Sequence, residues 1–287
     1  METLKKNNIV IDSLLIADHL GLLEARRKGL FPPSVSRAII HGNPDRVHEH
    51  AKLLKDPKVV ALKRGFVSYL GHYGGEPLII ASSGMGAGSA AIVFEELFEH
   101  GINKVIRVGT CGSYRDYIRP GDIVVPTDVL LESPVLRYIF PDYLRKRELG
   151  VEFDWLHVKE DFYFVKGFEK VINAIRESIE KALRELKDST IRYHVGPIHD
   201  KDILHAWRER YSMNPEGLVK IKSKIRNLTI ATDMESGALF TIAHMRNAIA
   251  GSMLVVVDFS AGEEIKRREK EGMEIAYRAS LEAILAI

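Results

Sequence analysis

A chain of 287 residues, 46% hydrophobic and 28% charged, is long enough to bury the core of one large α/β domain or of two small ones. Its formal net charge of +2 implies neither a nucleic-acid stripe nor a membrane-surface patch, and no apolar run reaches the roughly 18 residues that span a bilayer. Cys111 is the only cysteine, which excludes an intrachain disulfide and a cysteine-based metal cluster.

In chain order, residues 38–40 form the first short β-branched run and predict a buried strand. Runs at 77–81 and 104–108 repeat the pattern, and apolar residues at three and four spacing over 90–99 predict a helix between them. A fourth run at 122–126 precedes an aromatic, charge-rich stretch, 131–226, which holds a helical pattern over 168–187. Runs at 228–232 and 253–257 flank a helix over 234–245, and an amphipathic helix over 264–287 follows. Strands alternating with helices predict a single α/β domain, 1–287, with a mixed, largely parallel sheet flanked by helices and an elaborated region at about 131–226. No internal repeat or low-complexity linker divides it.

Three glycine-bearing segments follow predicted strands. The first is His41-Gly42-Asn43-Pro44-Asp45-Arg46, the second Ser82-Ser83-Gly84-Met85-Gly86-Ala87-Gly88, and the third Arg107-Val108-Gly109-Thr110-Cys111-Gly112. Glycine lets the backbone approach a ligand closely, amides at a following helix start favour negative charge, and an arginine fork directs two bonds at phosphate oxygens. The second segment is no dinucleotide fingerprint, because Ser89 stands where the third glycine belongs, and no Gly-Lys-Ser or Gly-Lys-Thr marks a Walker loop. Near the end of the chain, residues 230–240 place Glu235 where an apolar strand turns into a helix, within reach of a small polar ligand beyond the strand end. Asp233 and Ser236 beside it also read as helix caps.

Taken in order, these segments resemble the nucleoside phosphorylase family that includes uridine phosphorylases and the hexameric bacterial-type purine nucleoside phosphorylases. The resemblance runs through His19-Leu20-Gly21-Leu22, 42–46, Arg64, 84–88, 107–112, 120–122 and Met234-Glu235-Ser236, and is poorest over 131–192. It implies that Gly42, Arg46, Arg107 and Thr110 hold phosphate, with Arg64 arriving from a neighbouring subunit. It also implies that Glu235 binds the ribose hydroxyls, that Met234 packs under the sugar, and that His19 reaches the 5′-hydroxyl across a dimer interface. The implied assembly is a homohexamer, a trimer of dimers, and the implied ligands are a nucleoside and inorganic phosphate as co-substrate, with no organic cofactor. Gly65 stands where some uridine phosphorylases carry a cation-holding glutamate, so no bound metal is expected.

Two places bear on which base leaves. Around 202–211, Arg210 keeps the arginine of the uridine branch, but Arg208 replaces its glutamine and Leu204 its stacking aromatic. Arg208 only donates and cannot accept from N3–H of uracil. Cys111 and Gly112 complete the base site that the resemblance implies. Asp258, 24 residues after Met234, matches instead the aspartate that serves the purine branch as general acid, a role for which burial should raise its pKa. Its other reading is a cap on the following segment through Ser260. The balance favours a uridine-type phosphorylase, with a purine nucleoside or methylthioadenosine phosphorylase as the alternative. A nucleosidase would leave Arg46, Arg64 and Arg107 without an anion to serve, and a nonenzymatic nucleoside-binding protein would keep the pocket without attack geometry.

The chain lacks glutamine and is rich in lysine, arginine and glutamate, a composition that suits work at high temperature. Its first eight residues carry no signal-peptide apolar core, so the expected location is the cytoplasm, with no membrane and no nucleic-acid polymer as partner.

Overall fold

The structure, a computed structural model, describes residues 18–32, 34–133, 154–160, 162–186, 188–204, 212–258 and 262–287. Helix α1 (Leu22–Arg27) precedes β1 (Arg37–His41), α2 (Pro44–Ala51) and the antiparallel strands β2 (Lys55–Lys63), β3 (Phe66–Tyr73) and β4 (Glu76–Ser82). Helix α3 (Ala87–Glu99) leads to β5 (Lys104–Ser113) and β6 (Ile123–Leu131), then to β7 (Leu156–Lys159), β8 (Phe162–Lys166) and α4 (Glu169–Glu185). The chain continues through β9 (Tyr193–Asp200), α5 (Pro215–Leu228), β10 (Ala231–Asp233), α6 (Ser236–Met245), β11 (Ile249–Val256) and α7 (Glu263–Ala286).

One mixed sheet joins all eleven described strands. Its centre is parallel, β4 with β1, β1 with β5 and β5 with β11, and antiparallel pairs extend the edges. The sheet also closes on itself: β5 pairs with β11, β11 with β6, β6 with β9, β9 with β10, and β10 returns to the far end of β5. Closure is possible because β5 is long enough to leave β1 after Arg107 and still reach β10 at Gly112 and Ser113.

The two faces carry separate apolar clusters. Leu22 of α1, Phe94 and Leu97 of α3 and Leu239 and Phe240 of α6 pack on one face. Ile175 and Ile179 of α4 and Ile275 and Leu281 of α7 pack on the other. These residues are buried, and each such side chain contributes about 1.5–3 kcal/mol over an exposed one.

Several expectations need correction. Residues 228–232 do not form a strand, because α5 runs through Leu228 on the buried spacing Lys222, Ile225, Leu228, and only Ala231–Asp233 enters the sheet. Residues 107–112 are not a loop after a strand but the middle of β5 itself. The stretch 131–226 is not mere elaboration, since it supplies β9, which lies between β6 and β10 in the closed part of the sheet. The hairpin β2–β3 was not expected at all. The outer strand β2 is largely exposed, so it shows no apolar run, and its two-residue turn is Arg64-Gly65, both at positive φ as a mirror-image hairpin turn requires.

Candidate active site

The site forms where β5 leaves β1. Asn43 caps α2 by accepting from the Asp45 amide (2.9 Å) with Pro44 in the first turn, so Gly42 and the helix start lie at the carboxyl end of β1. The Ser83 amide donates to the His41 carbonyl (2.7 Å), which sets the second glycine segment beside the first. Arg107 lies opposite Ile40 on β1 and Ser252 on β11, and its side chain is 3% exposed. A side chain on Gly109 would collide with the Arg107 guanidinium, so this glycine gives the arginine its room.

Arg107 donates from Nη2 to Glu235 and pairs through Nη1 with Asp233 Oδ2 at 3.1 Å. Glu235 in turn accepts from the Gly86 amide at 2.7 Å, at the start of α3. Asp233 is also the cap anticipated for α6: its Oδ2 accepts from the Ser236 amide (3.1 Å) and hydroxyl (2.6 Å). Arg46 is half-buried on α2; burial lowers its pKa and the charge of Arg107 lowers it further. Arg107 keeps its Nε and Nη1 without a well-formed hydrogen bond. Two cations drawn together with spare donors form a receptor for an anion.

Beneath them lies a buried acidic layer that sequence reasoning did not assign to the site. Asp200, at the end of β9, stands opposite Asp233 in the β9–β10 ladder. Burial, then the charges of Asp233 and Glu235, holds its pKa well above the ordinary value. Asp233 is pushed up to about 6, chiefly by burial, with Arg107 and Ser236 pulling the other way. Burial works against the charge on Arg107, but Glu235, Asp233 and Asp200 together raise its pKa. A second missed group is the buried pair His41 and His50, joined Nε2 to Nδ1 at 2.9 Å, with His50 stacked on the Tyr277 ring of α7. Burial depresses both, His50 to about 3, so the pair is neutral at pH 7. The available signal for His41 was a polar residue interrupting an apolar run after Ile40, whereas Asp200 follows Gly196, Pro197 and His199 and ends no such run.

The other expected residues lie as follows. Thr110 is half-buried on β5, Met234 is half-buried beside Glu235, and Gly112 faces Thr232. Cys111 points its thiol into the core towards the Leu254 carbonyl, so only its backbone is available to a base. Arg64 is exposed at the tip of the β2–β3 hairpin. His19 is largely buried: its amide and Nδ1 both meet Glu96 Oε2, at 2.9 and 3.3 Å. Leu204 is 40% exposed, and Arg208, Arg210 and Ser260 lie outside the described residues. Asp258 departs from the burial expected of a raised-pKa acid: it is exposed two residues beyond β11, its amide donating to Glu269 Oε1 (2.7 Å). A separate cleft of about 580 Å³, lined by Tyr117, Arg119, Arg192 and Arg268 among others, contains none of these residues.

The sequence profile of the phosphorylase superfamily matches residues 36–286, a span that takes in every segment of this site except His19. The chain belongs to that superfamily. It is 25% identical over 275 residues to a uridine phosphorylase of Haemophilus influenzae, covering 91% of this chain and 96% of that protein. It is 29% identical over 261 residues to a guanosine phosphorylase of Halorubrum lacusprofundi, covering 87% and 93%. A crystal structure of uridine phosphorylase from Vibrio fischeri superposes with a TM-score of 0.66 at 22% identity, covering 88% of this chain and 92% of that one. The resemblance to nucleoside phosphorylases carried by the ordered segments is thus borne out, as is the α/β fold with a mixed sheet, and the chain is an enzyme of this phosphorylase family. Uridine and guanosine phosphorylases match over nearly the same length, so relatedness alone does not choose the base. No described helix is long and apolar enough to cross a membrane.

Proposed function

We propose that this enzyme splits the N-glycosidic bond of a nucleoside with inorganic phosphate, giving free base and ribose 1-phosphate, and that the nucleoside is of the uridine type. The observation that carries the reading is the direct pairing of Arg107 with Glu235, next to Arg46. It puts the groups suited to phosphate within one hydrogen bond of the group suited to ribose hydroxyls. When C1′–N breaks, positive charge develops on the sugar, and phosphate held by Arg46 and Arg107 both offsets that charge and attacks C1′. Gly42 and Thr110 add polar contacts to phosphate. Glu235 fixes the two ribose hydroxyls over Met234 and turns C1′ towards the nucleophile. The backbone at Cys111 and Gly112 together with Leu204, Arg208 and Arg210 would hold the base.

The alternative is a purine nucleoside or methylthioadenosine phosphorylase with Asp258 as the acid that protonates the departing base. One observation favours it: the Val257 amide donates to the Cys111 carbonyl (3.0 Å), which keeps Asp258 beside the strand that borders the base. Against it stands the exposure of Asp258, which departs from the burial expected of such an acid. Release of free base from uridine and from inosine, each with and without phosphate, tests the proposal. Phosphate-dependent uracil release supports the uridine reading, hypoxanthine release transfers the role to Asp258, and phosphate-independent release would make the enzyme a nucleosidase.

The exposure of Arg64 at the tip of the β2–β3 hairpin suits a residue delivered to a neighbour's site, so we extend the proposal to a homohexamer built from dimers. A cytoplasmic salvage role at high temperature, without metal or organic cofactor, completes it.

A further inference from the structure

Three buried carboxylates, Asp200, Asp233 and Glu235, surround the single guanidinium of Arg107. If all three were ionised, a site built to receive phosphate would carry two surplus negative charges behind its arginine. The three are not equivalent. Asp233 has Ser236 and Arg107 as partners, and Glu235 has Gly86 and Arg107. Asp200 is fully buried, and neither of its oxygens makes a hydrogen bond. The Gly237 amide faces it without reaching hydrogen-bond geometry, and a side chain on Gly237 would collide with its Oδ2. The charged groups facing it are Arg107 from β5, Asp233 from β10 and Glu235 at the start of α6, and Lys201, next in the chain, acts on Asp233. Burial and both neighbouring carboxylates therefore disfavour its ionisation, and the Gly237 amide and the charge of Arg107 offset them only in part.

We propose that Asp200 is a positioning residue for phosphate binding: it holds a proton in the working enzyme, and that proton leaves Arg107 free to transfer from the carboxylates to the anion. This rests on the reading of Arg107 as a phosphate ligand. With Asp200 neutral, Arg107 is shared by two carboxylates, one of which, Glu235, has the ribose as its alternative partner. With Asp200 ionised, a third charge holds the arginine back and repels the incoming dianion. Phosphate affinity then falls as pH rises through the titration of Asp200, beyond whatever phosphate's own ionisation contributes.

The test compares wild type with Asp200→Asn, which copies the shape of the protonated acid, and with Asp200→Ser, a smaller residue that also cannot ionise. Phosphate binding is measured by calorimetry at pH 6 and pH 9; phosphate's own ionisation is common to all three proteins and cancels in the ratio. The ratio of wild-type to variant Kd should be near one at pH 6 and rise about tenfold at pH 9, the size of one pKa unit of coupling. A ratio that does not change with pH although the carboxylic-acid infrared band of Asp200 is lost by pH 9 overturns the proposal, and a ratio that stays near one while that band persists at pH 9 supports it. Infrared difference spectra at pH 7 provide a readout that needs no phosphate: a carboxylic-acid C=O band present in wild type and missing from both variants supports the proton on Asp200, and its absence from wild type refutes it. Should wild type bind no phosphate at either pH while the band is present, the assignment of Arg107 to phosphate fails, and with it the coupling, while the protonated Asp200 stands.

Discussion

Glu235 and Arg107 pair with one another, so each must be released from the other to take a substrate group. Glu235→Ala removes the charge-assisted bonds expected to orient ribose and also frees Arg107 and the Gly86 amide. The expected result is a fall in kcat/KM of about 100-fold or more, about 3 kcal/mol, visible in steady-state kinetics; near-wild-type turnover would remove Glu235 from the ribose site. Gly109→Ala probes Arg107 without deleting it, because the new methyl takes the space of the guanidinium. Phosphate KM should rise several-fold while KM for nucleoside changes less, and an equal rise in both would point to general damage. Asp258→Asn separates the two bases: if Asp258 is the acid, inosine turnover should collapse far more than uridine turnover, whereas small equal losses leave it a structural residue. Glu235 was legible because it sits alone at a strand-to-helix turn. Asp200 was not, because its importance depends on β9 lying beside β10, a pairing that connects residues 33 apart and leaves no trace in local spacing.

At the level of elements, the strands read from sequence were those whose neighbours cover both faces, β1, β4, β5, β6 and β11, since burial makes their runs largely apolar. The strands that escaped are those with mixed environments. One face of β2 meets solvent, and β9 carries Gly196, Pro197, His199 and Asp200 within eight residues. The same polar residues tie elements together and make stability depend on pH. His41 of β1 and His50 of α2 have folded pKa values below the ordinary 6.5, so the unfolded chain binds more protons; their contribution is present above pH 6.5 and is lost as pH falls, towards about 3 for His50. Asp200 and Asp233 have raised values, so their contribution is present below 3.8 and is lost as pH rises, through about 6 for Asp233. Over pH 4 to 6 the two pairs oppose each other. Asp200→Asn removes one falling slope, and the unfolding free energy of the variant should gain on wild type by up to about 1.4 kcal/mol per pH unit above pH 4. Denaturant melts at pH 4, 5 and 6 measure it, and a constant difference would show that Asp200 ionises as readily folded as unfolded.

For the whole molecule, the decisive question is whether one chain makes one site. Arg64 sits at φ 53° on an exposed hairpin tip, a conformation that costs a non-glycine residue stability and that nothing in its own chain rewards with a described hydrogen bond or ion pair. Replacing it with glycine should therefore leave melting unchanged or raise it by up to about 1 kcal/mol, yet abolish most phosphate-dependent turnover if the arginine serves a neighbour. Mixing subunits then decides the geometry. Arg64→Gly and Glu235→Ala proteins, each nearly inactive alone, are unfolded together and refolded. If Arg64 acts across a dimer, each mixed pair has one site with both residues intact and one with neither. Half of randomly formed pairs are mixed, so about a quarter of wild-type activity should return. If Arg64 acts within its own chain, every site in every mixture lacks one residue and nothing returns. Recovery would make the dimer the smallest catalytic unit, and it would explain why an exposed hairpin tip carries an arginine in a conformation suited to glycine.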